Sequence, residues 1–304
     1  MTGRRHYCIV LNGRVFSGER AGRSSVPSMS QVGTRWSSTL RHLRVEPGSA
    51  LQLSKRATRD EFGLTKAQAL AELDETRVKI DVLQQRLFAE NRRSVLLVVQ
   101  AMDAAGKDGT IRNVLSGLNP AGISVTGFKA PAGPEAQHDY LWRVHQVCPE
   151  HGQIAVFNRS HYEDVLVVRV KKFVPDPVWK RRYEHIRNFE RLLADEGTSV
   201  VKCFLHVSKK VQAARFQERL DDPEKRWKFR AGDLEDRALW PQYQRAYQDA
   251  LRATSTASAP WFVVPADSNS RRNLAVAQIL LATLEQIDPK IPPAEDGLTG
   301  VKIV

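Results

Sequence analysis

The chain has 304 residues, of which 42% are hydrophobic and 26% charged, and its net charge at pH 7 is +12. This length allows one large or two small domains, and no apolar run reaches the roughly 18 residues that a membrane-spanning helix needs. Cys8, Cys148 and Cys203 are far apart and odd in number. Their spacing is typical neither of a metal site nor of a disulfide framework, which predicts a cytoplasmic location.

The positive charge is concentrated at the amino end of the chain. Residues 1–45 contain eight arginines and one acidic residue, for a charge of +7, which leaves +5 for the other 259 residues. We predict that residues 1–42 form a basic, disordered extension. A transit-like leader and an over-long start, with Met29 as the true first residue, are the alternatives. The uneven distribution also argues against a dedicated nucleic-acid site elsewhere in the chain.

Hydrophobic periodicity predicts that helices and strands alternate along the rest of the chain. Helices are expected at Thr65–Glu90, Asp139–Val147, Pro177–Asp195, Lys209–Leu220, Leu234–Ala253 and Arg271–Ile287, and one more opens near Gly109. Strands are expected at Val95–Val99, Ile123–Phe128, Ile154–Phe157, Val200–Val207 and Trp261–Val264, and Val165–Val170 is compatible with a strand or a helix. The alternation predicts an α/β fold with a parallel sheet covered by helices, a domain over 43–288 and a tail over 289–304.

The segment 94–111 combines an apolar strand, a turn of small residues and the start of a helix. Small residues let backbone N–H groups surround a phosphate, and the helix N-terminus adds positive potential. The predicted phosphate-binding residues are Ala104, Ala105, Gly106, Asp108, Gly109, Thr110 and Arg112, and Lys107 supplies a point charge for the same anion. Asp103 and Asp108 are carboxylates in and beside the loop, and such hard oxygen ligands suit Mg²⁺. The usual pattern is incomplete, because Ala101 replaces its first Gly and Asp108 its Mg²⁺-binding Ser or Thr. An ordinary turn with a solvated lysine is the alternative.

A second polar group follows the predicted strand Ile154–Phe157. Arg159 can stabilise charge on a transferring phosphoryl group, and Glu163 or Asp164 can orient a metal or a nucleotide. Asn158 occupies the place where many phosphate-loop enzymes carry a metal-binding Asp. The alternative is that Arg159 and Glu163 form only a surface ion pair. His161 is expected to be structural, because nothing near it in the sequence marks a nucleophile.

A third stretch, residues 215–237, is rich in Lys and Arg and contains Trp227 and Phe229. Pro223 and Gly232 interrupt it between two predicted helices. We predict a lid over about 209–240 that closes over phosphates and excludes water. Binding of single-stranded nucleic acid and a solvated helix face, whose acidic residues balance the charge, are the alternatives.

Taken together, these stretches resemble the polyphosphate kinase 2 family from about residue 43 to residue 287. The resemblance depends on AMDAAGKDGTI at 101–111, VTGFKAP at 125–131, FNRSHYEDVLVVRV at 157–170 and ERLDDPEKRWKFRAGDLEDRALW at 218–240. It implies a thymidylate-kinase-like fold with a helical lid. It also implies direct transfer of a terminal phosphoryl group between inorganic polyphosphate and AMP, ADP, ATP or guanine nucleotides, with Mg²⁺ or Mn²⁺ and no covalent enzyme intermediate.

The resemblance also assigns roles to individual residues. It implies that Asp103 and Lys107 act on the transferring phosphates. As carboxylates in and near the loop, Asp103 and Glu163 are the predicted metal ligands. The phosphate chain is then expected to contact Lys129, Arg159, Arg219, Lys225 and Lys228, and the nucleotide to contact Asn158, Arg159, Glu163 and Arg169. At Glu163 the sequence resembles the one-domain members that accept both nucleoside mono- and diphosphates. Members with a stricter choice of nucleotide tend to have Asn at this position. The family also implies a homo-oligomer.

Three other functions are left open by the residues alone. The first is an ATP-dependent nucleotide or small-molecule kinase of the same fold, which an assay with polyphosphate and no ATP would distinguish. The second is a basic nucleic-acid-binding protein, which deletion of residues 1–28 before a DNA-binding assay would distinguish. The third is a non-catalytic phosphate-loop scaffold, against which Asp103, Lys107 and Arg159 argue.

Overall fold

A computed structural model describes residues 32–295. Within them, strands Arg44–Val45 (β1), Ser94–Ala101 (β2), Ile123–Gly127 (β3), Ile154–Asn158 (β4), Thr198–His206 (β5) and Trp261–Pro265 (β6) form one sheet. Their order is β1-β6-β5-β2-β4-β3, and every pair is parallel except β1 with β6. The predicted α/β class with a parallel, helix-covered sheet is confirmed, with one short antiparallel strand added at an edge.

The described residues include helices that surround this sheet. They are Val32–Leu43 (α1), Lys66–Glu90 (α2), Lys107–Leu115 (α3), Trp142–His145 (α4), Val167–Val170 (α5), Asp176–Asp195 (α6), Lys209–Asp221 (α7), Ala231–Ala238 (α8), Trp240–Thr254 (α9) and Asn269–Ile287 (α10). Helix α10 packs against α2 and α3, whereas α6 packs against α9 and α5, and both α6 and α10 contact β5. Over residues 32–295, no helix has the length and apolar character needed to cross a membrane.

Local sequence explains where the principal elements begin and end. Strand β2 is buried along its whole length, as expected for a central parallel strand without a polar face. Helix α2 begins with a capping box, in which Thr65 and Gln68 bind each other's backbone N–H groups. It ends at Glu90, because the next residue, Asn91, has a left-handed backbone that stops the helical hydrogen bonds. These signals lead the chain directly into β2.

The single helix predicted over Leu234–Ala253 is wrong. Helix α8 ends at Ala238, and α9 begins at Trp240 with Pro241 in its first turn. Proline has no N–H to continue the hydrogen-bond ladder of a preceding helix, but it fits the first turn of a new one. The helix is therefore interrupted at Leu239, between α8 and α9.

Three other boundaries also differ from prediction. The helix expected over Asp139–Val147 is only the single turn of α4. The segment Val165–Val170 takes its helical alternative, as the short helix α5. Helix α3 begins at Lys107 rather than near Gly109, which brings the lysine into its first turn.

The amino-terminal extension was predicted to be disordered over residues 1–42, and this is wrong for residues 32–42, which belong to α1. Trp36 is 4% exposed and packs 5.4 Å from Phe62, measured between ring centroids. Leu43 is also buried, and β1 then pairs with β6. Two apolar anchors thus join this segment to the core, whereas the rest of the predicted extension, residues 1–31, lies outside the described residues.

Replacement of Trp36 by alanine tests this attachment. We expect Trp36→Ala to lower the free energy of unfolding by about 3 kcal/mol, because it removes a large buried ring and leaves a cavity. The measurement is urea unfolding followed by circular dichroism. Lys79→Ala, an exposed position on α2, is the control and should change the midpoint little. Equal stability of both variants would contradict the packing of α1.

Candidate active site

The strand register brings the candidate residues to one edge of the sheet. Val99 of β2 is opposite Asn158 of β4, and Gly127 of β3 is opposite the same residue. The segments that leave the carboxyl ends of these parallel strands therefore lie side by side. The loop of residues 102–106 follows β2, and the segment 159–164 follows β4.

The loop of residues 102–106 is held from behind through its carbonyl groups. Arg215 of α7 donates to the carbonyl oxygens of Ala104 and Ala105 at 3.1 and 3.0 Å. Arg272 of α10 donates to Ala105 O at 2.9 Å, and Gln212 donates to Asp103 O at 3.0 Å. These contacts leave the first-turn N–H groups of α3 as donors for an anion.

Glycine is required at position 106 for two reasons. Its φ of +101° lies in the left-handed region, and a Cβ atom built there would be 2.3 Å from Arg272 Nη1. The backbone thus passes directly over the guanidinium. Thr110 is fully buried beneath the same turn, and its hydroxyl contacts Gly106 O at 3.1 Å and Arg272 Nε at 2.6 Å. This places the Thr110 hydroxyl behind the loop rather than at its open side.

Lys107 is a buried cation at the start of α3. Its side chain is largely enclosed, and Nζ donates to Ala101 O at 3.3 Å. Burial lowers the pKa of Lys107, as does the neighbouring Arg159 cation, whereas Asp103 and Glu163 act in the opposite direction. A cation with few protein oxygens around it interacts strongly with any anion that displaces water from the loop.

Arg159 joins the two segments. It donates to Asp103 Oδ1 at 2.7 Å, and its Nη1 lies 3.9 Å from Glu163 Oε2. Its φ of +64° is unusual for a residue other than glycine and directs the side chain across the edge of the sheet. Although burial acts in the opposite direction, the carboxylates of Glu163 and Asp103 raise the pKa of Arg159. Its charge is therefore permanent.

Glu163 is the more enclosed of the two carboxylates, with 17% side-chain exposure against 22% for Asp103. With its amide nitrogen turned towards Glu163, Gln100 donates to Oε1 at 3.0 Å. Burial raises the pKa of Glu163, against the opposing effect of Arg159 and Lys107. On acidification this carboxylate therefore loses its charge earlier than an ordinary glutamate.

The remaining predicted residues are distributed around this centre. Asn158 donates to Asp108 Oδ1 at 2.6 Å, which joins the end of β4 to the first turn of α3. Lys129 is exposed two residues beyond β3, and its carbonyl accepts from Arg143 at 2.8 Å. Arg112 is exposed on α3. The contact between Asn158 and Asp108 thus lies beside the loop.

The predicted lid residues have different surroundings. Arg219 packs over the Phe216 ring, and Lys228 is exposed beside Trp227. Lys225 forms ion pairs with Glu218 at 3.0 Å and Asp222 at 2.9 Å. Arg219 is half-buried. Burial raises the pKa of Asp233, the charge of Asp103 raises it further, and the charge of Arg219 lowers it, so Arg219 and Asp103 both lie near this residue.

The contacts of Arg169 are with residues outside the phosphate loop. It pairs with Asp249 at 2.8 Å and stacks 4.3 Å above the Trp179 ring. It lines a separate cavity of about 680 Å³ between α5, α6 and α9. Nucleotide binding by Arg169 stays a prediction that these contacts do not favour.

Sequence reasoning missed Arg272 and gave Arg215 only a lid role. Neither guanidinium forms an ion pair with a carboxylate among the described residues; both bind backbone and amide oxygens. Burial lowers the pKa of Arg272, and nearby Arg215 lowers it further. Arg272 lies at the start of a helix with no phosphate-site motif, so only the three-dimensional packing of α10 against α3 reveals it.

Two carboxylates at this centre are suitable for a divalent metal. Mg²⁺ in phosphoryl-transfer enzymes is often bound through one or two carboxylates, with water and substrate phosphates as its other ligands. Asp103 and Glu163 provide that donor set, since both face Arg159. Over residues 32–295, no group of three or more His, Cys, Asp or Glu forms a protein-only metal site.

The parallel sheet, the phosphate loop and the cationic centre define a phosphate-loop phosphotransferase. A sequence profile of the polyphosphate kinase 2 family matches residues 63–292, and the chain belongs to that family. It is 54% identical over 267 residues to the AMP/ADP-polyphosphate phosphotransferase of Meiothermus ruber, a match that covers 87% of this chain and all of that protein. It is 45% identical over 265 residues to the ADP-polyphosphate phosphotransferase of Rhodopseudomonas palustris, which covers 83% and 92%.

The fold is also similar to a solved structure of this family. Polyphosphate kinase 2 from Arthrobacter aurescens superposes with a TM-score of 0.81 at 41% sequence identity. The superposition covers 84% of this chain and 92% of that one. The family resemblance inferred from the sequence motifs is thereby confirmed.

Lys107→Ala tests whether the buried cation takes part in the reaction. We expect kcat to fall by about 10²-fold or more, because a charge in an enclosed site stabilises developing negative charge strongly. Circular dichroism should show an unchanged fold. Lys79→Ala removes an exposed lysine on α2 and is the control for loss of one positive charge. Near wild-type turnover in Lys107→Ala would exclude a catalytic role.

Proposed function

We propose that this protein transfers a terminal phosphoryl group between inorganic polyphosphate and AMP or ADP. The observation that carries the proposal is the centre formed by Lys107, Arg159, Asp103 and Glu163 beside the first-turn N–H groups of α3. Its cations suit a polyanionic donor, and its carboxylates suit a metal. The names of the Meiothermus ruber and Rhodopseudomonas palustris relatives support these substrates.

The chemistry needs one bond to form and one to break. A terminal phosphate oxygen of the acceptor forms a bond to the last phosphorus of polyphosphate, and the bridging P–O bond breaks. The shortened polyphosphate leaves with the bridging oxygen, so no proton has to be moved. Phosphoryl transfer asks the protein mainly for positioning and charge stabilisation. Lys107 and the N–H groups of α3 bind the donor phosphates, and Arg159 neutralises charge between donor and acceptor.

Magnesium is the metal that the donor set favours, with Mn²⁺ as a substitute. Phosphotransferases of this family generally depend on a metal ion. Asp103 and Glu163 would hold it, and it would supply positive charge to the phosphate oxygens. Hard oxygen ligands and an oxygen-rich substrate match Mg²⁺ chemistry.

The proposal extends to a lid, to further nucleotides and to the oligomeric state of the protein. Residues 209–240 close over the phosphates and exclude water, with Arg219 and Lys228 as their cations. ATP and guanine nucleotides are further substrates or products. A homo-oligomer and a cytoplasmic location remain predictions from the sequence.

The donor is tested directly with purified protein, ADP, polyphosphate and Mg²⁺ in the absence of ATP. We expect ATP to form, as measured by nucleotide chromatography, because the cationic centre is suited to a chain of phosphates. EDTA should stop the reaction, and excess Mg²⁺ should restore it. Absence of ATP at several polyphosphate chain lengths, together with good activity from ATP to a small-molecule acceptor, would overturn the proposal.

Glu163→Asn tests whether this carboxylate selects the acceptor. A metal bound there would bridge the gap that a short acceptor such as AMP leaves, whereas ADP reaches the donor unaided. We therefore expect kcat/KM to fall more for AMP than for ADP. Glu163→Gln, which keeps the length of the side chain, separates charge from size. An AMP/ADP ratio that stays within about twofold, roughly 0.4 kcal/mol, would mean that Glu163 does not select the acceptor.

A further inference from the structure

A fully buried ion pair lies behind the segment that carries Arg159 and Glu163. Lys202 of β5 is 0% exposed and Glu190 of α6 is 1% exposed, and their side chains form a direct hydrogen bond. Two buried charges are costly unless every polar atom finds a partner. Lys202 Nζ meets this demand by also donating to Thr254 O at 2.8 Å and to the Tyr162 hydroxyl at 3.0 Å.

Tyr162 is the link between this pair and the active-site segment. Its hydroxyl lies 2.8 Å from Glu190 Oε1 and 2.9 Å from Thr254 Oγ1. Its ring is fully buried and packs edge-on against Trp261, with centroids 4.8 Å apart. Elements α6, β5, α9 and β6 therefore all converge on one side chain of the short 3-10 helix His161–Asp164.

The neighbours of Tyr162 in the chain are fixed by the same contacts. Its backbone N–H donates to Ser160 Oγ at 3.1 Å, and the Glu163 N–H donates to Ser160 O at 3.0 Å. His161 is also fully buried, with Nε2 3.4 Å from Glu190 Oε1, and burial lowers the pKa of His161 so that its ring is neutral. Every residue from 160 to 162 is thus buried and bonded, whereas Glu163 faces Arg159.

We propose that Glu190, Lys202 and Tyr162 are positioning residues for phosphoryl transfer, and this rests on the proposed function. The buried pair fixes the Tyr162 hydroxyl, and the fixed tyrosine sets the backbone of the 160–163 turn. Arg159 immediately precedes that turn and Glu163 ends it. Both side chains are thereby held towards the phosphate loop. None of the three residues touches substrate, since all are sealed beneath the site.

The most direct test is Tyr162→Phe, which keeps the ring and its packing and removes only the linking oxygen. We expect kcat with ADP and polyphosphate to fall about 10-fold, because small displacements of catalytic groups are costly. Both KM values should stay within about twofold.

Thr198→Val is the matched control. The Thr198 and Ser94 hydroxyls lie 2.9 Å apart, buried at the amino ends of β5 and β2, at the opposite edge of the sheet. This variant removes a buried hydroxyl and a hydrogen bond, as Tyr162→Phe does, but far along the strands from Glu163. We expect a smaller loss of Tm, because one neutral contact is lost instead of three, with kcat and both KM values unchanged.

The ion pair itself is tested with Glu190→Gln, Lys202→Met and the double variant. Each single change leaves one buried charge without its partner and should lower Tm strongly. Removing both charges should restore much of the lost Tm. The double variant should recover Tm but keep a kcat at least about 10-fold below wild type, since the tyrosine hydroxyl has lost both of its charged partners. Activities are measured well below each Tm and per folded protein.

The outcomes separate the two hypotheses. A wild-type kcat in Tyr162→Phe, or in the double variant with its recovered Tm, would overturn the positioning role. The ion pair would then have a role in stability alone. An equal loss of kcat in Thr198→Val would overturn it too. Failure of the wild-type protein to use polyphosphate would instead refute the proposed function, while the comparison between variants could still be made with any donor that the protein accepts.

Discussion

The hydrogen bond from Arg159 to Asp103, together with the proximity of Arg159 to Glu163, sets the geometry of the site. They join the segment after β4 to the loop after β2, across neighbouring parallel strands. This contact places two carboxylates, Asp103 and Glu163, close to two cations, Arg159 and Lys107. Such a balance lets a buried site keep its charges without substrate. It also leaves the N–H groups of α3 free for phosphate.

A second layer of charge supports the first. Arg215 and Arg272 bind the carbonyl groups of the loop, yet neither has a carboxylate partner among residues 32–295. The backbone thus separates two guanidinium groups from the open side of the loop. A polyphosphate bound there would be attracted by these charges without touching them. The loop and the charges behind it therefore act together in binding an anion.

Much of the fold could be predicted from the sequence because the central strands are apolar runs without a polar face, as in β2. The phosphate loop was also predictable, since Gly106 and Lys107 form a local signal next to a strand. Longer-range features were not. Helix α1 is largely polar in composition, and a few apolar side chains, Trp36, Leu40 and Leu43, anchor it. The break between α8 and α9 depended on Pro241, which the apolar spacing concealed.

The candidate site was predicted in the same uneven way. Asp103, Arg159 and Glu163 lie in motifs that end strands, so their meeting followed from the parallel sheet. Lys202 and Glu190 gave no signal, because a lysine in a strand and a glutamate in a helix look like ordinary surface residues. Only the register of β5 and the packing of α6 bury them together. Lys225 shows the reverse case, since its expected partner was phosphate and its neighbours are acidic.

The close passage of Gly106 over Arg272 has an evolutionary consequence. Any side chain at position 106 would occupy the space of the guanidinium, and a shorter residue at position 272 would leave the Thr110 hydroxyl without its donor and the Ala105 carbonyl with Arg215 alone. Neither position can therefore drift alone. Among related chains, a change at one should appear only together with a change at the other, and a lineage that lost both would have to rebuild the turn beneath its phosphate loop.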